Sequence, residues 1–168
     1  MVDLEIEFFC DDECSSTVDD EIIINLSRAM PKLESLALGD ATCDKIITGV
    51  TTKGLLALAH HCPNLSILCV HLQVASLCEP PGIPGMVPTA GPAASWTDCA
   101  LMDLAVGEAR VPVGSAMIIA LTLLRIFPRL HSIGFADEAE GWEEVGKAIN
   151  CSREIIDCSS KHHPFITP

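Results

Sequence analysis

One arrangement of apolar positions recurs along the chain: an apolar residue, two others, a second apolar residue, one other, then a third. It reads Leu33, Leu36, Leu38; Leu65, Leu68, Val70; Leu101, Leu104, Val106; and Leu130, Ile133, Phe135, with Met1, Leu4, Ile6 as a fifth copy. The starts at 1, 33, 65, 101 and 130 are spaced by 32, 32, 36 and 29 residues, so a structural unit is repeated. The last two apolar positions of each copy are two apart, the period of a strand with one buried face. Five short strands are therefore predicted, at a spacing that leaves room for a helix in each crossover.

Helices are legible between them. Thr51 to His61 carries Leu55, Leu56, Leu58 and Ala59 on one stripe, and Ile118 to Phe127 carries Ile118, Leu121, Leu124 and Ile126. Asp19 to Met30 is a third helix, with Asp19 and Asp20 placed to accept the orphan N–H groups of its first turn. A last one, from about 138 to 157, uses Trp142, Val145, Ile149 and Ile156. Pro31, Pro63 and Pro128 precede three of the strands, and Cys99 takes that place before a fourth. Proline ends a helix because its ring disfavours helical geometry in the residue before it and it has no N–H to give. The unit is helix, proline stop, short strand.

One stretch departs from this. Between about 79 and 97 the chain runs EPPGIPGMVPTAGPA, and 8 of the residues from Pro80 to Pro92 are proline or glycine, which forbids a regular helix and predicts a loop insertion. Residues 1–158 are read as one domain and the aperiodic 159–168 as a flexible tail.

Composition narrows the partners. With 10 basic and 23 acidic side chains the formal net charge is -13, which argues against nucleic acid and anionic membranes as ligands and favours a basic protein surface. Nine of the acids, with no base among them, lie in the first 21 residues, so that attraction is local to one end. A mean hydropathy of +0.38 excludes a wholly disordered chain. The most apolar run, Val113 to Leu124, is stopped by Arg125 well short of the roughly 20 residues that span a bilayer. The opening MVDLEIEFF has acids where a secretory signal needs bases. Nine cysteines, an odd number without close pairing, then read as free thiols in a reducing compartment, cytoplasmic or nuclear.

An LxxLxL strand followed by an outer helix, repeating near 30 residues, resembles a leucine-rich repeat solenoid. The stretch CDKIITGVTTKGLLALAHHCPNLSILCV is similar to the cysteine-containing subclass of these repeats, common in F-box proteins. TLLRIFPRLHSI, with Trp142 and Val145 downstream, resembles the C-terminal region of fungal F-box proteins. The resemblance implies an α/β solenoid with parallel concave strands and convex helices, serving as the substrate-recognition part of a cullin-type ubiquitin ligase. In such a protein the F-box binds a Skp-type adaptor and the repeats hold the substrate. Cys43 and Cys62 are implied to be small core fillers. These residues include no F-box segment with its leucine-proline opening, and the first strand coincides with the chain start. Upstream repeats are accordingly expected to be cut away, with an adaptor as partner only if an F-box is encoded upstream.

Strand alternation sends Leu4, Leu36, Leu68, Leu104 and Ile133, with Ile6, Leu38, Val70, Val106 and Phe135, into the core. The candidate protein-binding face is then Asp3, Glu5, Glu7, Ser35, Ile67, Cys69, His71, Asp103 and Ser132, interleaved with Ala37, Gly39, Ala105, Gly107, Gly134 and Ala136. Three carboxylates followed by mostly small side chains suit an extended peptide or a helix with a basic end. The alternative is that Asp3, Glu5 and Glu7 only blunt an edge strand against unwanted pairing.

Other chemistry finds little support. Cys69, His71 and Asp103 form one conceivable transition-metal set, and Cys158 with His162 and His163 another, but Cys10 and Cys14 have no matching second pair and no CxxC spacing occurs. A thiol enzyme needs positive charge to stabilise its thiolate, and these surroundings are acidic. The full GxxxxGK[ST] phosphate-loop pattern, GxSxG and HExxH are missing. The glycosylation triplets at Asn25, Asn64 and Asn150 are incidental without a signal peptide. His60 and His61 suit the negative end of a helix, and Trp142 is read as a hydrophobic cap over the last repeat. The expectation is a non-enzymatic protein-interaction module with no cofactor, metal or catalytic residue. The alternatives are a truncated or degenerate repeat fragment without activity and a cysteine/histidine metal or redox protein.

Overall fold

A computed structural model of the chain describes residues 2–6, 17–38, 47–79, 97–107, 110–135 and 140–161. The elements run β1 (Asp3–Ile6), β2 (Thr17–Asp19), α1 (Asp20–Ala29), β3 (Ser35–Leu38), β4 (Ile47–Gly49), α2 (Thr52–His61), β5 (Ile67–Val70), α3 (Val74–Cys78), β6 (Asp103–Val106), α4 (Ala116–Ile126), β7 (Ser132–Phe135) and α5 (Trp142–Lys161). This is an α/β fold. Its main sheet has five strands in the order β1-β3-β5-β6-β7, every neighbouring pair parallel, so space follows sequence.

All five predicted strands form, each starting two residues into its apolar frame. The register never slips: Asp3, Ser35, Ile67, Asp103 and Ser132 stand side by side, and Leu4, Leu36, Leu68, Leu104 and Ile133 make the adjoining row. A one-residue slip would turn each leucine to the wrong face, so burial of that row enforces the register. The frame's first apolar residue lies in the turn before the strand, and Leu33, Leu65, Leu101 and Leu130 are all fully buried there.

The proline stop is built the same way three times. Met30, Cys62 and Phe127 close α1, α2 and α4 by donating their N–H groups to the carbonyls of Leu26, Leu58 and Leu123 at 3.0, 2.8 and 2.7 Å. Each then accepts at its own carbonyl from the N–H three residues on, in Leu33, Leu65 and Leu130, at 3.1, 3.1 and 3.0 Å. Pro31, Pro63 and Pro128 sit inside these turns, where their missing N–H costs nothing.

Neighbouring units are tied by side chains as well as by packing. Asp19 caps α1 by accepting from Ile22 N–H at 3.0 Å, as expected. Asp20 plays no part in that cap. It reaches instead to the start of α2, where Oδ1 accepts from the N–H groups of Thr51 (2.8 Å) and Gly54 (3.0 Å) and Oδ2 from the Thr51 hydroxyl (2.6 Å). A Cβ on Gly54 would fall 2.6 Å from Asp20 Oδ1, so only glycine admits this carboxylate. Thr52 bonds Ser76 in α3, and the Thr122 hydroxyl donates to Leu77 O.

Three expectations are corrected. The buried face of α4 is Ile119, Ala120, Thr122, Leu123, Leu124 and Ile126, while Ile118 and Leu121 face out, because no described helix lies against their flank whereas α3 and α5 pack on the others. Phe135 is 44% exposed rather than core, since β7 is an edge strand, flanked among the described residues only by β6; Leu4 and Ile6 on the opposite edge are likewise only partly buried. The final helix runs Trp142–Lys161 where about 138 to 157 was expected. A second parallel pair, β2 with β4, and the one-turn α3 were not predicted. The loop insertion lies outside the described residues over 80–96, and so do 162–168 of the tail, Glu7, Cys10, Cys14, Cys43, His162 and His163, together with the side chains of Ile156 and Cys158.

The core is one continuous cluster running from Val18 and Ile23 to Trp142, Val145 and Ile149. Trp142 is fully buried within it. Leu68→Ala, at the centre of the sheet, should lower the unfolding free energy by about 2–5 kcal/mol. Ile67→Ala, the next residue on the open face, should change it by less than about 0.5 kcal/mol. Urea unfolding of the two variants checks this.

Candidate functional site

Strand alternation gives the main sheet a covered face and an open one. The covered face holds the leucine row. Across the open face run two rows at constant register: Asp3, Ser35, Ile67, Asp103 and Ser132, and beside it Glu5, Ala37, Cys69, Ala105 and Gly134. Asp3, Glu5, Asp103 and Ser132 are exposed, and Ser35 and Cys69 are half-buried. Ile67 is 46% exposed in the middle strand, an apolar side chain held where solvent would favour a polar one. Among the described residues Gly134 has only Ala105 near it, at 3.8 Å from an added Cβ, so this end of the second row is flat. The face therefore offers a central apolar contact, a floor of small side chains and carboxylates on its first strand.

Eight of the nine expected face residues are described, and seven of them lie on these rows. His71 does not. It follows the end of β5, half-buried, with its ring against Gly107, where an added Cβ would lie 2.0 Å from Nδ1. That close approach is possible only with glycine at 107. Nε2 of His71 is buried without a hydrogen-bond partner among the described residues.

The conceivable metal set of Cys69, His71 and Asp103 is not assembled. Asp103 pairs with Ile67, four residues before His71, which separates the two by about 13 Å along the strand. Asp103 Oδ1 instead accepts from the Ser132 hydroxyl. Among the described residues no group of three histidine, cysteine or acidic side chains stands close enough to hold a metal ion. Nor is any described helix long and apolar enough to cross a membrane.

The buried cysteines have a definite place in the frame. Cys62 Sγ donates to Met30 O at 3.4 Å and Ser27 O at 3.6 Å, and Cys99 Sγ donates to Cys62 O at 3.6 Å and Leu65 O at 3.7 Å. Each thiol thus serves the carbonyls where the preceding unit turns from helix to strand. Burial, reinforced by Cys99 nearby, pushes the Cys62 thiol up to about 11. Burial also raises Cys99, against the lowering effect of backbone hydrogen bonds and Arg129. These are poor nucleophiles at neutral pH. Cys151 on α5 is exposed.

A groove beside α4 was missed from sequence. Residues from the 111–117 and 140–144 segments line an open groove of about 450 Å³, among them the exposed Val113, Met117, Glu140 and Glu144. The only signal for it was the apolar VPVG run ahead of α4, which carries no period. Glu144 and Glu143 pair with Lys147 at 3.0 and 2.9 Å; that contact lowers the Glu143 carboxyl and raises the Lys147 ammonium, and both side chains are exposed.

A thiol whose folded pKa lies above its unfolded one adds stability that is complete below the unfolded value and lost as pH rises through the folded value. The unfolding free energy should fall as pH is raised from 9.0 toward about 11, with a shallower fall in Cys62→Ala; denaturant titrations at fixed pH read both slopes. In native protein at neutral pH, a thiol reagent should modify Cys151 well before Cys62 or Cys99, as peptide mass mapping would reveal. No protein-family model, no curated protein and no solved structure matches the chain.

Proposed function

We propose that the chain is a protein-recognition module whose open sheet face holds an extended or helical segment carrying a basic end. The observation that carries this reading is the exposed Ile67 at the centre of an in-register face of small side chains, with Asp3 and Glu5 on its first strand. An apolar side chain of the partner would cover Ile67, its backbone would approach over Ala37, Cys69 and Ala105, and its basic residues would meet the carboxylates. Parallel strands in sequence order, a constant register and a 29 to 36 residue spacing support the finer fold reading, a leucine-rich repeat solenoid with this face concave. On that reading the chain does not catalyse a reaction.

The resemblance to fungal F-box proteins extends the proposal to substrate recognition within a cullin-type ubiquitin ligase. The adaptor-binding part of that role depends on an F-box encoded upstream of Met1, and reading the upstream genomic frame decides it.

Peptides selected from a random display library against the intact chain should be enriched in lysine or arginine next to a large apolar residue. Ile67→Asp, and separately Asp3→Lys with Glu5→Lys, should weaken the selected peptides at least about tenfold, about 1.4 kcal/mol, with unfolding curves close to the parent's. Selected peptides indifferent to both changes would remove the reading.

A further inference from the structure

The two edges of the main sheet are complementary to each other. At every internal junction the carbonyl of the residue just before a strand accepts from two N–H groups of the next: Val2 O from Glu34 and Ser35 (2.9 and 3.4 Å), Glu34 O from Ser66 and Ile67 (2.8 and 3.3 Å), Ser66 O from Met102 and Asp103 (3.0 and 3.1 Å), and Met102 O from His131 and Ser132 (2.7 and 3.0 Å). Val2, Glu34, Ser66, Met102 and His131 occupy one position of the repeated frame. Among the described residues the series ends with His131 O lacking its two donors on one edge, and with the N–H groups of Val2 and Asp3 lacking their acceptor on the other.

The covered face is unfinished at the same two places. Its inner rows are closed over Leu36, Leu68 and Leu104, whereas Leu4 and Ile6 on β1 and Ile133 and Phe135 on β7 remain partly open. Charge runs the same way. Nine acids and no base lie in residues 1–21, while residues 109–136, which include α4 and β7, hold Arg110, Arg125, Arg129 and His131 and no acid. Arg129 and His131, at the turn into β7, are exposed.

From these three observations we infer that copies of this chain stack head to tail, β7 of one copy pairing in parallel with β1 of the next. The junction repeats the internal ones: His131 O accepts from Val2 and Asp3 of the neighbour, Ile133 and Phe135 cover its Leu4 and Ile6, and the basic turn meets its acidic strand. The contact joins two different surfaces, so it does not close as a two-fold dimer and continues to longer assemblies. The contact shares the Asp3 carboxylate with the proposed open-face site, but its backbone pairing does not rest on that site.

Sedimentation velocity of the intact chain over a wide concentration range tests it. The parent should form a ladder of masses that grows with concentration and shrinks with added salt. Val2→Pro removes a donor on the β1 edge, and Phe135→Glu puts a charge on the β7 edge; both positions are exposed enough to tolerate the change. Each variant alone should be monomeric, and their mixture should form a 1:1 dimer and stop there, because each supplies the edge the other lacks. Arg129→Glu should weaken assembly of the parent, with partial recovery on mixing with Asp3→Lys, which serves if either first variant loses its fold by circular dichroism. A parent that is monomeric throughout, or assembles as a salt-insensitive dimer, or folded variants that do not complement, would overturn the inference.

Discussion

Parallel pairing at a constant register is the constraint from which the rest of this molecule follows. A parallel neighbour can be reached only by carrying the chain back to the starting end of the sheet, so each strand demands a return segment. Where the chain is described, those segments contain α1, α2, α4 and the short α3. Because the register is the same at each step, equivalent residues fall side by side, and one apolar frame can serve five strands. Leu36, Leu68 and Leu104 pack as a row for that reason, and the same geometry lines up whatever occupies the alternate positions. The open face is therefore a by-product of the core: once the leucines are fixed inward, Ser35, Ile67 and Asp103 have nowhere else to go.

The turns show how little chemistry the return needs. Met30, Cys62 and Phe127 are an aliphatic thioether, a thiol and an aromatic ring, yet all three end their helices with the same backbone bonds. The side chain at this position is free to do a second job. In Cys62 it donates to carbonyls of the preceding unit, and in Phe127 it fills the core. A cysteine suits the first role because it is small, apolar and a weak donor, and burial that hinders ionisation makes it chemically quiet.

The strands and main helices were legible because their information is periodic and local. Pro31, Pro63 and Pro128 marked the turns, and the leucine frame marked the strands to within two residues. What escaped was set by neighbours distant in sequence. The stripe on α4 reads equally well through Ile118 and Leu121 or through Ile119 and Leu123, and only the packing of α3 and α5 chooses between them. Phe135 fits the frame as well as Val106 does, but no strand lies beyond it among the described residues. β2 and β4, three residues each, are too short to show alternation. On the open face, the rows from Asp3 to Ser132 were readable from alternation alone, whereas the separation of Asp103 from His71 and the groove beside α4 needed the register and the loop path.

The carboxylate of Asp20 bears on how such an architecture can be cut or lengthened. It is bonded across 31 and 34 residues to Thr51 and Gly54, so the first turn of α2, capped at Lys53 N–H by its own Thr51, borrows a second acceptor from the helix before it. Units joined this way are not interchangeable beads. Removing the first would strip two backbone donors of α2 and leave a glycine, chosen for its lack of a side chain, facing empty space. Inserting another unit between them would require it to bring its own aspartate at the same height and its own glycine opposite. Growth of this architecture by duplication has to copy the donor and the receiver together, and substitutions at 20, 51 and 54 are bound to one another as a set.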